Sequence, residues 1–182
     1  MVASLAKQAQ PSSRIETLLG CAAIPSGLRA AANGADLLHI ATHARVDAQR
    51  PRLSALALTP ERGAAPAPSA FGLLDILSLK LRSRLVVLSA CETSRGKLLP
   101  GEGVLGPAQA FLQAGAATVL ASYWRIDDQT TAAFMQRFYR NLLLEHMTAA
   151  TALRRAQLET ARTAGPHVWA AFALYGLPDS SF

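Results

Sequence analysis

The chain has 182 residues, a formal net charge of +6 at pH 7, 51% hydrophobic residues and 16% charged ones. That balance excludes intrinsic disorder, which needs low hydrophobicity with high net charge, and the length suits one domain with a sizeable core. No apolar run reaches the roughly 18–20 residues that a bilayer-spanning helix needs, and the start lacks the apolar stretch of a secretory signal, so a cytoplasmic protein is expected.

Residues 1 to 14, with Lys7 among polar Gln8, Gln10, Ser12 and Ser13, read as a tail or the frayed end of an earlier helix. Leu18 to Cys21 reads as a short strand or turn. Ser26 is placed to cap a helix over Gly27 to Ala32, and Asn33-Gly34 stops it. Leu37 to Thr42 is apolar enough for a strand and delivers His43 at its end. Arg45 to Arg52 is polar loop, and Leu53 to Leu58 alternates like a short strand at a sheet margin. Pro60, Gly63, Pro66 and Pro68 make Thr59 to Ser69 an exposed loop. Leu73 to Leu79 predicts a short helix with Asp75 in its first turn.

Leu85-Val86-Val87-Leu88 is a run of four branched apolar residues, the pattern of a strand buried on both faces. It runs through Ser89 and Ala90 into Cys91. After a glycine-rich loop, Val104 to Ala114 predicts a helix with Pro107 in its first turn, and Gly115 ends it. Ala117 to Ser122 is a further buried strand that continues into Tyr123, Trp124, Asp127 and Asp128. Thr130 to Leu144 and Thr148 to Thr163 carry apolar residues at helical spacing. Gly165-Pro166 breaks the second of these, and Trp169 to Leu174 predicts a closing strand. Strands alternating with helices, with the strands continuously apolar, predict one α/β domain with a mostly parallel sheet covered by helices.

In such a sheet, chemistry sits just beyond the carboxyl ends of the strands. Cys91 stands at that position, and a cysteine there can act as a nucleophile if a neighbouring base takes its proton. Buried packing is the bland alternative for a free cysteine, and it is the reading for Cys21. His43 ends its own strand and is the candidate base. His39 lies four residues earlier, roughly 13 Å back at a strand rise of about 3.3 Å per residue, and reads as a buried histidine tied to a backbone carbonyl. His43 precedes Cys91 by 48 residues, close to the roughly 50 that separate histidine from cysteine in caspases. Two cysteines fit no zinc spacing, and a Cys/His mechanism needs neither metal nor organic cofactor, so none is expected. The basic residues are scattered and not interleaved with aromatics, which argues against nucleic acid as a partner despite a pI near 10.0.

The segments His39 to Ala44, Leu85 to Thr93, Gly101 to Val104, Ala114 to Val119, Trp124 to Asp128 and Trp169 to Phe172 together resemble the CHAT domain, a caspase- and separase-like group of cysteine peptidases often attached to tetratricopeptide repeats. The resemblance covers roughly residues 18 to 178, which sets residues 1–17 apart as a tail or remnant and 18–182 as the peptidase-like domain. It implies a three-layer caspase-like fold, with helices on both faces of the sheet. It implies His43 as general base and Cys91 as nucleophile in an endopeptidase acting on protein or peptide substrates. The backbone amides of Ala44 and Cys91 would stabilise the oxyanion.

The same likeness makes Asp128, or Asp127 in its place, the selector of a basic substrate side chain. Trp124 and Ser122 would line the peptide's path. A plainer reading gives both carboxylates to the start of the following helix. The resemblance also implies one or two strands before the first helix, yet only about 35 residues precede the His43 strand. The expectation is therefore a carboxyl-terminal core or shortened copy with an open sheet edge. A tetratricopeptide-repeat or other regulatory partner is expected outside the chain, because no such repeat occurs within it. The rival functional reading is a catalytically inactive interaction module of a larger regulatory protein.

Overall fold

The computed structural model describes residues 1–45, 50, 53–63, 68–89, 106–124 and 126–177. The run of four branched residues forms β5 (Leu85–Leu88), and all four are buried. It lies between two parallel neighbours, β1 (Leu37–Ile40) and β6 (Thr118–Ser122). An antiparallel strand, β7 (Phe172–Gly176), completes the order β1-β5-β6-β7.

Side chains alternate across a strand with period two, and here both sets are buried. Val86 and Leu88 join Leu38, Ile40, Val119 and Ala121 in one core. Leu85, Val87 and Leu120 belong to the other. The first face is covered by α2 (Pro25–Ala32), α3 (Leu73–Leu77) and α4 (Pro107–Gln113). The second is covered by α5 (Asp128–Tyr139), a π-helical turn over Arg140–Leu144, α6 (Ala149–Ala161) and the one-turn α7 (Pro166–Trp169). The result is the three-layer arrangement expected from the alternating pattern.

The two long helices start where the side chains dictate. The Asp127 carboxylate accepts the Thr130 amide at 2.8 Å, and the Thr148 hydroxyl accepts the Thr151 amide at 3.3 Å, each satisfying a backbone donor that the first turn leaves open. Phe134, Met135, Phe138 and Tyr139 then form one buried face of α5, and Ala149, Ala152, Leu153 and Ala156 that of α6. Phe134 stacks on Phe172 of β7 with ring centroids 4.7 Å apart, which fixes α5 against the antiparallel edge.

Several local expectations are corrected. Residues 2–9 form a helix, α1 (Val2–Ala9), whose Val2 and Leu5 pack on the second core. Residues 20–22 form a 3₁₀ turn, the second of the two readings of Leu18 to Cys21, but Cys21 is exposed there and not packed. The helix α2 starts at Pro25 with Ile24 at its cap, and the Ser26 amide instead donates to the Glu61 carboxylate at 2.8 Å. The Thr130–Leu144 pattern is an α-helix only to Tyr139, after which one wider turn carries Asn141 and Leu142 inward. Trp169 belongs to α7, because Gly165-Pro166 starts a helical turn with proline at its first position, so the last strand begins three residues later than expected.

The largest departure is a second sheet. Ala55–Leu58 forms β3, which pairs antiparallel with β2 (Ala44–Arg45) and β4 (Ser69–Gly72) and not with the margin of the main sheet. This small sheet receives the chain directly from β1.

Candidate active site at the carboxyl ends of the strands

Because β1, β5 and β6 run parallel, their carboxyl ends emerge on one side of the molecule. The Ser89 amide donates to the Ile40 carbonyl at 2.9 Å and carries the β1–β5 ladder one residue past β5. The described residues that follow the three strands here are Ala41 to His43, Ser89, and Tyr123 with Trp124, ahead of Ile126 to Asp128.

The first segment crosses from one sheet to the other. β1 ends at Ile40 and β2 begins at Ala44, so His43 is not on the His39 strand, as a single strand through Thr42 would have it. Ala57 of β3 holds the crossing at two consecutive residues. Its amide donates to the His43 carbonyl at 2.8 Å, and its carbonyl accepts the Thr42 hydroxyl at 2.5 Å. His43 itself is exposed, while Ala44 beside it is buried. The Thr42 contact is a positioning element that the sequence signals only as one polar residue before a histidine.

His39 points to the second core and has a different partner from the one expected. Its Nδ1 lies 2.9 Å from the Tyr139 hydroxyl, and the rings meet edge to face. Burial lowers the imidazole pKa to about 4, so the ring is neutral at physiological pH. Burial likewise raises the Tyr139 phenol above its ordinary range. The histidine is structural, tied to a side chain 100 positions away and not to a carbonyl.

Cys91 lies outside the described residues. At the end of β6, Ser122 is buried opposite Phe172, and the Tyr123 amide donates to the Ala171 carbonyl at 2.7 Å. The Trp124 indole N–H donates to the His167 carbonyl at 2.6 Å and its ring stacks with Tyr123, centroids 6.0 Å apart. Tyr123 also meets Tyr175 edge to face, and burial together with the Tyr123 hydroxyl raises the Tyr175 phenol. Two aromatic rings are thus held at this strand end, both partly exposed to solvent.

Asp127 is the N-cap of α5, and its hydrogen bonds to Thr130 hold the exposed carboxyl below the usual carboxylate range. Asp128 is the first residue of the helix and is exposed. Both carboxylates therefore begin the helix, and both remain open to solvent beside Trp124. Among the described residues, no group of three or more His, Cys, Asp or Glu side chains is arranged to hold a metal ion.

Known proteins resemble this arrangement in sequence and in shape. Tetratricopeptide repeat protein 28 of Homo sapiens is 29% identical over 199 residues, an alignment covering 88% of this chain and 8% of that protein. Its Mus musculus counterpart is 28% identical over the same length, with the same coverage. The chain thus spans less than a tenth of the length of these relatives. Among solved structures, the Arg-specific cysteine proteinase gingipain R superposes with a TM-score of 0.67 at 16% identity, over 98% of this chain and 40% of that one. At that identity the likeness shows the fold, which is caspase-like. The CHAT domain family model matches residues 1–177, from α1 to the residue after β7, and the chain belongs to the CHAT domain family.

Proposed function

We propose that the chain is a cysteine endopeptidase in which His43 is the general base and Cys91 the nucleophile. The observation that carries this reading is the register of the two parallel strands. Each residue of β5 follows its β1 partner by 48 positions, as Leu85 follows Leu37 and Leu88 follows Ile40. Cys91 follows His43 by the same 48 positions. The ladder sets the strands that precede the two residues side by side, with their carboxyl ends together, and that supports pairing His43 with Cys91.

In the proposed reaction the His43 imidazole takes the Cys91 thiol proton, and the thiolate attacks the scissile carbonyl. The amine leaves with the proton from His43, giving a thioester, which water hydrolyses to the free acid and the thiol. The Ala44 amide supports the oxyanion role. Ala57 pairs with His43, and paired residues alternate between bonded and non-bonded in an antiparallel ladder, so the next amide is directed away from β3.

Specificity for arginine or lysine rests on Asp128, with Asp127 beside it and Trp124 and Ser122 along the peptide. A carboxylate selects a cation when the complex desolvates both. The Arg-specific proteinase of like fold points the same way. Cleavage of arginine- and lysine-containing peptides by the wild type, Cys91→Ala and His43→Ala tests the dyad. Loss of activity in both variants is expected, and equal rates in all three reject it. Asp128→Asn removes charge alone, and Asp127→Asn does so while keeping a capping side chain. The first is expected to lower kcat/KM for basic peptides at least tenfold relative to neutral ones, and an unchanged preference rejects the assignment.

One observation favours a second reading, an interaction module without catalysis: the curated relatives are tetratricopeptide repeat proteins. Selective labelling of Cys91 by a peptide electrophile separates the two, since a buried inert thiol does not react.

A further inference from the structure

The chain enters β5 through Leu79 to Arg84, and burial there alternates residue by residue. Leu79, Leu81 and Ser83 are 5%, 6% and 1% exposed, while Lys80, Arg82 and Arg84 lie open to solvent. A period of two is that of extended backbone, so the three cations form one row on the solvent side. At about 3.3 Å per residue they stand roughly 6.6 Å apart. Hydrogen bonds pin the buried residues between them. The Leu81 amide donates to the Ala114 carbonyl at 2.8 Å, and the Ser83 carbonyl accepts the Ala117 amide at 2.9 Å. The Ser83 hydroxyl donates to the Ala35 carbonyl at 2.6 Å.

Two of these cations are uncompensated. Lys80 and Arg82 make no ion pair or side-chain hydrogen bond among the described residues. Asp36, whose carbonyl accepts the Arg84 amide at 2.8 Å, makes no ion pair there either. The amides and carbonyls of Lys80 and Arg82 likewise have no backbone partner among the described residues. A cleft of about 300 Å³ is lined by Asn33, at the end of α2, and by Ser78 and Lys80, so the segment is not packed on that flank.

We propose that this row docks an extended acidic segment of a partner protein, one with glutamate or aspartate at alternate positions. Such a segment repeats its charges at the same spacing of roughly 6.6 Å and meets the row in step. Opposite charges facing across extended chains attract, and the open backbone groups of Lys80 and Arg82 can pair with the segment as in strand addition. A single nucleic-acid strand also carries repeated charge, but it binds through bases stacked on aromatic rings. The large aromatic side chains exposed among the described residues, Tyr123 and Trp124, lie beyond the carboxyl end of β6. The row stands at the amino end of β5, away from the candidate active site, and its docking is independent of whether the chain is a peptidase.

The probe is a fluorescein-labelled 12-residue peptide alternating glutamate with threonine, beside one of the same composition with its glutamates in a single block. Neither contains arginine or lysine, so neither is a substrate for the proposed basic specificity. Fluorescence anisotropy with the full chain is expected to show saturable binding of the alternating peptide that weakens with salt, and at least fivefold weaker binding of the block. Lys80→Ser with Arg82→Ser should weaken the alternating peptide at least tenfold. Arg154→Ser with Arg162→Ser, which removes the same charge from α6 and its C-cap, should change it less than twofold. If the first double variant loses its circular dichroism signature, Lys80→Gln alone takes its place and should weaken binding at least threefold.

Absence of binding, equal binding of the block peptide, or unchanged binding by the Lys80 and Arg82 variants overturns the proposal. So does an equal loss in Arg154→Ser with Arg162→Ser, which would make the attraction one of net charge alone. Tighter binding of a 12-nucleotide oligothymidylate, lost in Lys80→Ser with Arg82→Ser, would make the occupant a nucleic acid and would equally overturn it.

Discussion

His39 converts burial into a pH dependence. The unfolded imidazole titrates near 6.5 and the buried one near 4, so between those values the unfolded chain binds the extra proton. Stability therefore falls as pH drops from about 6.5 toward 4, by up to about 3 kcal/mol from this group. Urea unfolding at pH 7 and pH 4.5 is expected to show that loss, and His39→Gln should remove about 2 kcal/mol of the difference. A slope unchanged in the variant would mean that another group governs acid unfolding. The burial of His39 was legible in its position within an apolar strand. Its partner was not, because Tyr139 stands 100 residues away on a helix whose pattern marks it only as core.

Asn141 is the other buried polar residue of note. Neither its amide nitrogen nor its carbonyl oxygen has a hydrogen-bond partner among the described residues, and the side chain sits in the wide turn after α5. A buried polar group without a partner costs about 1–3 kcal/mol, whereas an apolar side chain of similar shape does not incur that cost. Asn141→Leu is expected to raise the thermal midpoint by about 2–4 °C, the shift that about 1 kcal/mol gives in a chain of this size. A lower midpoint would show that the amide is satisfied or that the site cannot take the added volume.

At the scale of elements, the turn from α4 to β6 depends on Gly115. Its φ is +110°, and a Cβ there would meet the Leu81 carbonyl oxygen at 2.3 Å. Gly34 also has a positive φ, +78°, but with nothing within 4 Å of a Cβ. Gly115→Ala is therefore expected to cost at least about 2 kcal/mol more than Gly34→Ala, which carries only the conformational penalty of about 1–2 kcal/mol. Chemical denaturation of the two variants checks the order.

The same contrast explains which elements the sequence reveals. α5 and α6 announce themselves through capping side chains and a repeated apolar face. β4 does not, since Ser69-Ala70-Phe71-Gly72 offers a single large apolar residue and draws its ladder entirely from β3. The Gly165-Pro166 pair has two meanings, an end to one helix and a start to another, and only tertiary packing chose the second.

At the scale of the whole molecule, the layered fold was written in the strands. Four consecutive branched residues have no solvent-facing set, so a helical layer must cover each side. The division into two sheets was not written, because β2 is two residues long and its pairing is decided across residues far apart in the chain. Hydrogen exchange should follow this division. The amides of β5, paired on both edges and buried throughout, are expected to exchange most slowly, and those of β2 to β4 much faster. Equal protection in the two sheets would show that they open as one unit. Cys91 lies outside the described residues, and of the rest of the candidate site the neighbouring ends of β1 and β5 were legible in the sequence. The crossing of His43 into the small sheet was not, since nothing in Ala41 to Ala44 marks a change of sheet.

Ala57 grips the chain at both Thr42 and His43. It sits on a strand whose other end leads back to Leu53, four residues away, or about 13 Å along an extended backbone. Between the two, Leu56 is fully buried in the first core beside Ala44 and Phe71. The backbone that holds His43 is therefore seated in the same apolar layer that covers one face of the main sheet, and a cavity made at Leu56 is expected to loosen the histidine's segment along with the fold.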